Sequence, residues 1–180
     1  MEQLKEQPRT DSGNFWHKKI YPHQVWLDGL YMAQPFYMRY GAERGRWDYC
    51  RDSLRQFQNV EQNMNDIITG LYYHGYDESK TAFWADKKTG CSRNFWLRSI
   101  GWLAMACVDT LEVMPTDLVE EKKKLNLLFR ALMDAVIGFQ DRKSGLWYQV
   151  MDQGNRAGNY LETSGSAMLA CALMKGARRN

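Results

Sequence analysis

The chain has 180 residues, of which 44% are hydrophobic, 25% charged and 13% aromatic, and its net charge is +3. This length and composition predict a single soluble globular domain. The small, scattered charge argues against a nucleic-acid partner, and no run approaches the roughly 20 apolar residues of a membrane span. The four cysteines show no metal-binding spacing and the N-terminus has no apolar signal sequence. We therefore expect a cytoplasmic protein without a metal.

The first residues, 1–13, are polar, and we expect a loose segment ahead of one domain over residues 14–180. The spacing of apolar residues predicts helices at about 24–40, 47–60, 94–113, 117–139 and 165–177. Pro35 falls inside the first predicted helix and is expected to kink it or end its first part. Asp117, with Glu120 three residues later, resembles a capping box that opens the fourth helix.

Internal repetition gives the strongest indication of the fold. The segment GLYYHGYD at 70–77 is echoed by GLWYQVMD at 145–152, and each is followed by a polar loop and a helix. VWLD at 25–28, FWLR at 95–98 and NYLE at 159–162 open three helices of similar character. Such units bury their apolar faces only against neighbours. We therefore predict an all-α protein, an α/α toroid of the six-hairpin type, of which three units, about half of the barrel, are present.

Asp28 is the first candidate for chemistry. It stands in the apolar run Trp26-Leu27-Asp28-Gly29-Leu30. A carboxyl group among Trp and Leu side chains has its charged form disfavoured, as a general acid near neutral pH requires. The alternative is a first-turn helix residue that satisfies backbone N–H groups.

Arg98 and Trp102 are four residues apart and so share one helix face, with Trp96 close by. An Arg beside indole rings can pair with a carboxylate while the rings stack on a sugar. An ordinary aromatic core stripe with an Arg reaching to solvent is the alternative. His74 ends the first extended run and His17 follows an aromatic pair; a structural role is open for both.

These segments together resemble glycoside hydrolase family 105, the unsaturated rhamnogalacturonyl hydrolases, and more loosely the unsaturated glucuronyl hydrolases of family 88. The resemblance is carried by YPHQVWLDGLYMAQPF, GLYYHGYDES, FWLRSIGWLAMACVDTLE, GLWYQVMD and NYLETSGSAM, in that order. It extends from about Asn14 to the C-terminus. The family fold is a barrel of six α-hairpins, which agrees with the repeat.

The resemblance implies removal of a terminal 4,5-unsaturated uronic acid, galacturonyl in the first instance and glucuronyl as the alternative, from lyase-generated pectin oligosaccharides. A carboxylic acid protonates C4, water adds at C5, and the resulting hemiketal opens. The acid–base residue of the W-x-D-G motif corresponds here to Asp28. The residues that would line the uronate pocket are His17, Trp26, His74, Trp96, Arg98 and Trp102. No metal or organic cofactor is implied.

Family members are roughly twice as long as this chain, and a second pocket Asp comes from a helix upstream of these motifs. The chain is therefore expected to be a partial sequence whose own activity is open. The alternative function is an inactive helical-repeat fragment that binds carbohydrate or acts as a scaffold. Half a toroid also leaves apolar helix faces that could support self-association.

Overall fold

The structure is a computed structural model that describes residues 1–178. Six helices and four short strands follow one another along the chain. In order they are α1 (Glu2–Glu6), β1 (Gln24–Trp26), α2 (Leu27–Glu43), α3 (Trp47–Met64), β2 (Gly75–Asp77), α4 (Leu97–Val113), α5 (Val119–Gly138), β3 (Trp147–Tyr148), β4 (Leu161–Glu162) and α6 (Thr163–Ala177). None of these helices is long and apolar enough to cross a membrane.

The long helices form two layers. In the inner layer α4 lies between α2 and α6, and in the outer layer α3 packs on α2 while α5 packs on α4. The central helix α4 is the most extensively buried, because it has neighbours on several sides; Leu97, Ile100, Leu103 and Ala104 are all fully buried. This alternation of inner and outer helices is the packing that the repeat predicts.

Each inner helix starts directly after an extended segment, as the three similar sequence starts indicate. β1 pairs antiparallel with β2, with Val25 opposite Tyr76, and β3 pairs antiparallel with β4. At the start of α4, Trp96 forms an isolated antiparallel bridge with Val150. The first backbone N–H of α2, from Leu27, donates to the carbonyl of His74, and the N–H of Leu97 in α4 donates to the carbonyl of Gln149. The loop after each outer helix thus fixes where the inner helix of the same unit begins.

A six-residue turn recurs before the extended runs. In the first copy Asp66 accepts hydrogen bonds from the backbone N–H and the hydroxyl of Thr69 through one carboxylate oxygen, and the following Gly70 has a φ of 71°. The turn at Asp141 repeats this geometry through Ser144, with Gly145 at a φ of 73°. The copy over residues 86–91 has the same pattern. The positive φ explains why glycine occupies this position.

α2 continues past Pro35 to Glu43, so of the two outcomes expected at the proline, a kink or an end, the end does not occur. Burial of Leu30 before the proline and of Tyr37 and Met38 after it holds both halves against the core. Tertiary packing here outweighs the lost backbone hydrogen bond.

The fourth long helix, α5, has Leu118 and not Asp117 as its N-cap residue, and no side chain caps it. Leu118 is 5% exposed and packs in the core, which sets the helix start one residue later than the polar pattern predicts.

The N-terminal residues 1–13, expected to be loose, carry the short helix α1 and contacts to the rest of the chain. Arg9 forms a bidentate ion pair with Asp52 of α3, with N–O distances of 3.0 and 2.6 Å. Thr10 is buried, and Glu78 accepts the backbone N–H groups of Asp11 and Ser12. These contacts place the segment against α3 and the loop that follows β2.

Candidate active site

The candidate residues gather where the inner helices begin. Asp28 is the second residue of α2 and Arg98 is the second residue of α4. Trp26 and Trp96 occupy the position just before each helix, in extended backbone. The repeat therefore places a carboxylate and a guanidinium at equivalent positions on neighbouring helices, each with a tryptophan two residues before it.

Asp28 is held by a serine of the neighbouring helix. The Oγ of Ser99, on α4, donates a hydrogen bond of 2.6 Å to Oδ2 of Asp28. Ser99 is fully buried, whereas Asp28 is partly exposed. Ser99 is the only hydrogen-bond partner of the Asp28 side chain among residues 1–178. The carboxyl group is thus oriented from one side and reaches solvent on the other.

Trp26 forms a wall beside Asp28. Its ring lies parallel to those of His17, at 4.5 Å and 3°, and Tyr21, at 5.5 Å and 5°. His17 and Tyr21 are themselves parallel at 6.4 Å. If two rings stacked on opposite faces of an indole, their centroids would be about 7 Å apart or more, because each stacking contact needs a separation of about 3.5 Å. His17 and Tyr21 therefore share one face of Trp26, and neither covers the other.

His74 lies between the two tryptophans. Its ring meets Trp26 edge-on at 6.1 Å and Trp96 edge-on at 6.0 Å. Its backbone carbonyl accepts the N–H of Leu27, so the residue is fixed to the start of the Asp28 helix. Pocket residues predicted from three separate sequence segments, Trp26, His74 and Trp96, are therefore in one cluster.

Burial lowers the pKa of both histidines below the ordinary value of 6.5, against the opposing charge of Asp28. For His17 the nearby Lys18 adds to the lowering, and for His74 a hydrogen bond to the Asn94 backbone opposes it. The Nδ1 atoms of both rings are buried and have no hydrogen-bond partner within residues 1–178. Both imidazoles are therefore neutral near pH 7, and each keeps one buried ring nitrogen without a hydrogen-bond partner among the described residues.

Arg98 lies over Trp96, with its guanidinium carbon 4.5 Å from the ring centroid. The charge of Arg98 acts on Glu162, which caps the neighbouring helix α6 by accepting the N–H groups of Ser164 and Gly165. Burial raises the pKa of Glu162, but those hydrogen bonds and the Arg98 charge together hold it below its ordinary value of 4.5. Arg98 thus keeps its planar cation on an aromatic surface, available to a second anion.

Trp102 lies one helical turn further along α4. Its ring packs on Tyr31 of α2 at 4.6 Å with an interplanar angle of 35°. The structure therefore pairs Arg98 with Trp96, while Trp102 joins α4 to α2 below the charged groups. Trp96, Arg98 and Trp102 are each partly exposed, and they lie just before or within the first two turns of α4.

Sequence reasoning missed Ser99 and Tyr21. Ser99 directly follows Arg98, but nothing in its local pattern indicates that it faces Asp28. Tyr21 stands in the segment that leads to Trp26, and its aromatic character was the available signal. Among residues 1–178, no group of three His, Cys, Asp or Glu side chains is arranged to hold a metal ion.

The chain is similar to known proteins in both sequence and structure. The family model described as Glycosyl Hydrolase Family 88 matches residues 1–180. A protein of Agrobacterium fabrum, Protein Atu3128, is 44% identical over 147 residues, which cover 82% of this chain and 61% of that protein. The unsaturated rhamnogalacturonyl hydrolase YesR of Bacillus subtilis is 32% identical over 180 residues, covering 95% of this chain and 48% of that protein.

A solved structure shows the same fold. A family 105 glycoside hydrolase of C. acetobutylicum superposes with a TM-score of 0.95 at 47% identity, covering 99% of this chain and 49% of that one. The chain thus spans about half to three fifths of the lengths of these relatives. The predicted half of an α/α toroid is confirmed. The chain belongs to the glycoside hydrolases of the related families 88 and 105.

Proposed function

We propose that the chain carries the acid–base centre of a hydrolase that removes a terminal 4,5-unsaturated galacturonic acid from lyase-generated pectin oligosaccharides. The observation that carries the proposal is the setting of Asp28. A partly exposed carboxyl group is oriented by the buried Ser99 and stands beside Trp26, among rings suited to a sugar. The name of the Bacillus subtilis relative, an unsaturated rhamnogalacturonyl hydrolase, supports this substrate class.

The chemistry needs one carboxyl group that both gives and takes a proton. The Asp28 carboxyl donates its proton to C4 of the double bond while the oxygen of a water molecule bonds to C5. One proton of that water molecule passes to the Asp28 carboxylate. The product is a hemiketal at C5. It opens as the C5–O5 ring bond breaks and the proton of the C5 hydroxyl passes to O5, which leaves a ketone at C5 and a hemiacetal at C1. The hemiacetal collapses to an aldehyde as the C1–O bond to the next sugar breaks, and that sugar leaves with the hemiacetal proton on its hydroxyl. Asp28 ends the cycle protonated, so a second carboxylate acting as nucleophile is not needed.

The surrounding residues have binding roles in this proposal. Arg98, on the aromatic surface of Trp96, pairs with the uronate carboxylate. Trp26 and Trp102 supply ring surfaces for the sugar, and the neutral histidines His17 and His74 line the pocket against Trp26.

The test is the substitution Asp28→Asn, which keeps the shape and removes the proton. Turnover is followed as loss of the ultraviolet absorbance of the unsaturated uronate. We expect kcat to fall by about 10²- to 10⁴-fold, the usual contribution of a general acid–base group, with an unchanged melting temperature. Unchanged turnover in Asp28→Asn would refute the assignment, because Asn supports a helix start about as well as Asp does.

A second candidate function is sugar binding without turnover, by a helical-repeat fragment. It is favoured by the aromatic cluster around Trp26 and His74, because such rings can bind the face of a sugar without any reaction. This function predicts that the wild-type chain binds unsaturated uronides and never reduces their absorbance. Adding the same substrate to the wild-type chain therefore distinguishes the two functions.

A further inference from the structure

His74 and Gln149 occupy the same backbone position in two copies of the repeat. The carbonyl of His74 accepts the N–H of Leu27, the first residue of α2, at 3.1 Å. The carbonyl of Gln149 accepts the N–H of Leu97, the first residue of α4, at 2.9 Å. Because the same hydrogen bond fixes both residues, each lies at the start of the inner helix of its own unit.

The backbone contact that follows is also repeated. Gly75 lies opposite Trp26 in the pairing of β1 with β2, and Val150 forms an isolated antiparallel bridge with Trp96. Each tryptophan directly precedes its inner helix. Two successive backbone contacts are thus the same in both copies, so the side chain of the residue before the bridge leaves the backbone in the same direction in each.

The first copy shows what lies beside this position. The His74 ring lies edge-on to Trp26 at 6.1 Å, next to the helix start that carries Asp28. The charge of Asp28 opposes the lowering of the His74 pKa by burial, so the imidazole lies within electrostatic reach of that carboxylate. Gln149 stands in the same relation to Arg98, the second residue of α4. The repeat therefore places an amide beside the guanidinium where the first copy places an imidazole beside the carboxylate.

The orientation of the Gln149 amide is set by Tyr160. The hydroxyl of Tyr160 donates to Oε1 of Gln149, and the backbone N–H of Gln149 donates to the carbonyl of Tyr160 at 2.8 Å. Since Oε1 is engaged as an acceptor, the amide nitrogen Nε2 with its two N–H donors is directed away from the tyrosine. Gln149 is partly exposed and Tyr160 is 53% exposed, so the pair is accessible to a ligand.

Arg98 on its own leaves acceptor sites of a bound carboxylate unfilled. A guanidinium fork donates two parallel hydrogen bonds, whereas a carboxylate has about four acceptor sites. The Nε2 of Gln149 can donate to a further site without adding a second positive charge. Such a neutral donor increases selectivity for a carboxylate, while the charge of Arg98 supplies most of the attraction.

We propose that Gln149, oriented by Tyr160, is a second binding residue for the carboxylate of the unsaturated uronate and acts together with Arg98. The inference rests on the proposed function, because it assigns a further contact to the same substrate. Arg98 supplies the charge from its place on Trp96, and the Gln149 amide supplies a neutral donor from the loop of the same unit. A methyl ester of the uronate has no carboxylate charge, so it gains little from either residue.

Calorimetry with three probes tests the assignment. The probes are the methyl glycoside of 4,5-unsaturated galacturonic acid, its C6 methyl ester, and the methyl glycoside of saturated galacturonic acid. All measurements use the Asp28→Asn background, which prevents turnover. The variants are Gln149→Glu, Gln149→Leu and Tyr160→Phe. Gln58→Glu and Gln58→Leu are the matched controls, at a partly exposed glutamine of α3. Melting temperatures check that every variant is folded.

We expect Gln149→Leu to weaken binding of the unsaturated acid by about tenfold or more, as for the loss of a hydrogen bond to a charged group. Gln149→Glu keeps an acceptor for the Tyr160 hydroxyl but adds a negative charge. It should therefore weaken binding of the acid by more than about tenfold and that of the ester by less than about twofold. Tyr160→Phe should cost about two- to tenfold. The Gln58 variants should change neither. A merely structural role of Gln149 would not change the preference for acid over ester.

Unchanged binding of the unsaturated acid in both Gln149 variants would overturn the assignment and leave the proposed function standing. Equal weakening of the acid and its ester would also overturn the assignment, because the effect would not depend on the carboxylate. A protein that binds only the saturated acid, and loses it in Gln149→Glu, would support the carboxylate contact and overturn the proposed substrate. No binding of any probe by the Asp28→Asn protein would overturn both.

Discussion

Ser99 and Asp28 are 71 residues apart in the chain, and a 2.6 Å hydrogen bond joins their side chains across two neighbouring inner helices. The bond fixes which carboxylate oxygen faces the helix layer and which faces solvent. Ser99 does not reach solvent itself, since it is fully buried. Its part in the proposed reaction is therefore to position Asp28.

Ser99→Ala is expected to reduce turnover by about ten- to a hundredfold, because a hydrogen bond to a charged group contributes about 1.5–3 kcal/mol. Ser53→Ala is the matched control: this serine is equally buried, on α3, and its Oγ donates to the carbonyl of Gln34. Both variants remove one buried hydroxyl. Steady-state rates and melting temperatures for the two proteins distinguish a loss specific to Asp28 from general destabilisation. An equal loss of rate in both would contradict the positioning role.

Arg98→Ala is expected to weaken binding of unsaturated uronides by about 2–5 kcal/mol, the range for removing one partner of a buried charge pair. Trp102→Ala should weaken binding less, since the ring contacts Tyr31 and not the guanidinium. Arg55→Ala, an exposed arginine on α3, serves as the control. Isothermal calorimetry measures all three. If Arg98→Ala binds like the control, Arg98 belongs to the aromatic packing alone.

The two buried histidines predict that stability depends on pH. Burial lowers the pKa of His17 and His74 in the folded state, whereas the unfolded chain titrates near the ordinary value of 6.5. Below pH 6.5 the unfolded state binds more protons than the folded state. The stability that the two neutral histidines contribute is therefore complete above pH 6.5, and it is lost as the pH falls towards their lowered pKa values. Urea unfolding between about pH 5 and 8 should show this loss. In the double variant His17→Gln, His74→Gln the free energy of unfolding should change less with pH. An unchanged pH dependence would contradict the assignment of this effect to the two histidines.

The recurrent turn offers a comparison between two glycines. Both Gly70 and Gly145 have positive φ, so alanine at either position is strained by about 1–2 kcal/mol. At Gly70 the new Cβ would also lie 2.9 Å from the Cβ of Ala135, whereas at Gly145 the nearest atom is 3.9 Å away. Gly70→Ala should therefore lower the free energy of unfolding by about 1–3 kcal/mol more than Gly145→Ala. Chemical denaturation tests this, and equal losses would contradict the close contact.

The outward faces of α2 and α6 predict self-association. Met32 and Phe36 on α2 are 71% and 51% exposed, and Met174 on α6 is 60% exposed. Burying such side chains between copies is favourable, at roughly 25 cal/mol per Å² of apolar surface. Light scattering should show a mass that rises with concentration, and Phe36→Lys with Met174→Lys should suppress the rise. Ile67→Lys, at an exposed turn, should not. A constant monomer mass would contradict this prediction.

The arrangement of helices was predictable because it depends on patterns within each repeat. The Trp-Leu pairs before Asp28 and Arg98 mark the starts of α2 and α4, and the apolar spacing behind them gives the buried faces. Membership of the glycoside hydrolase families followed from the order of the motifs. These features are local, or recur at a fixed interval, and a single sequence contains them in full.

Contacts across the repeats could not be predicted in the same way. The Ser99–Asp28 bond depends on how α4 is rotated against α2, and the placement of Tyr21 beside His17 depends on the fold of the preceding loop. The first helix does not end at Pro35 because residues on both sides of the proline are buried, which is a tertiary effect. The start of α5 was misplaced for the same reason, since the burial of Leu118 sets it.

The second residue of each inner helix is Asp28 in α2, Arg98 in α4 and Ser164 in α6. The backbone at the first two positions is set by the same hydrogen bond, from the preceding residue to the loop of its own unit. The same structural position thus carries a carboxylate, a guanidinium cation and a neutral hydroxyl in successive copies. Duplication of a hairpin can in this way add a new functional group without a new backbone, and a single substitution in one copy changes the chemistry at one place on the ring.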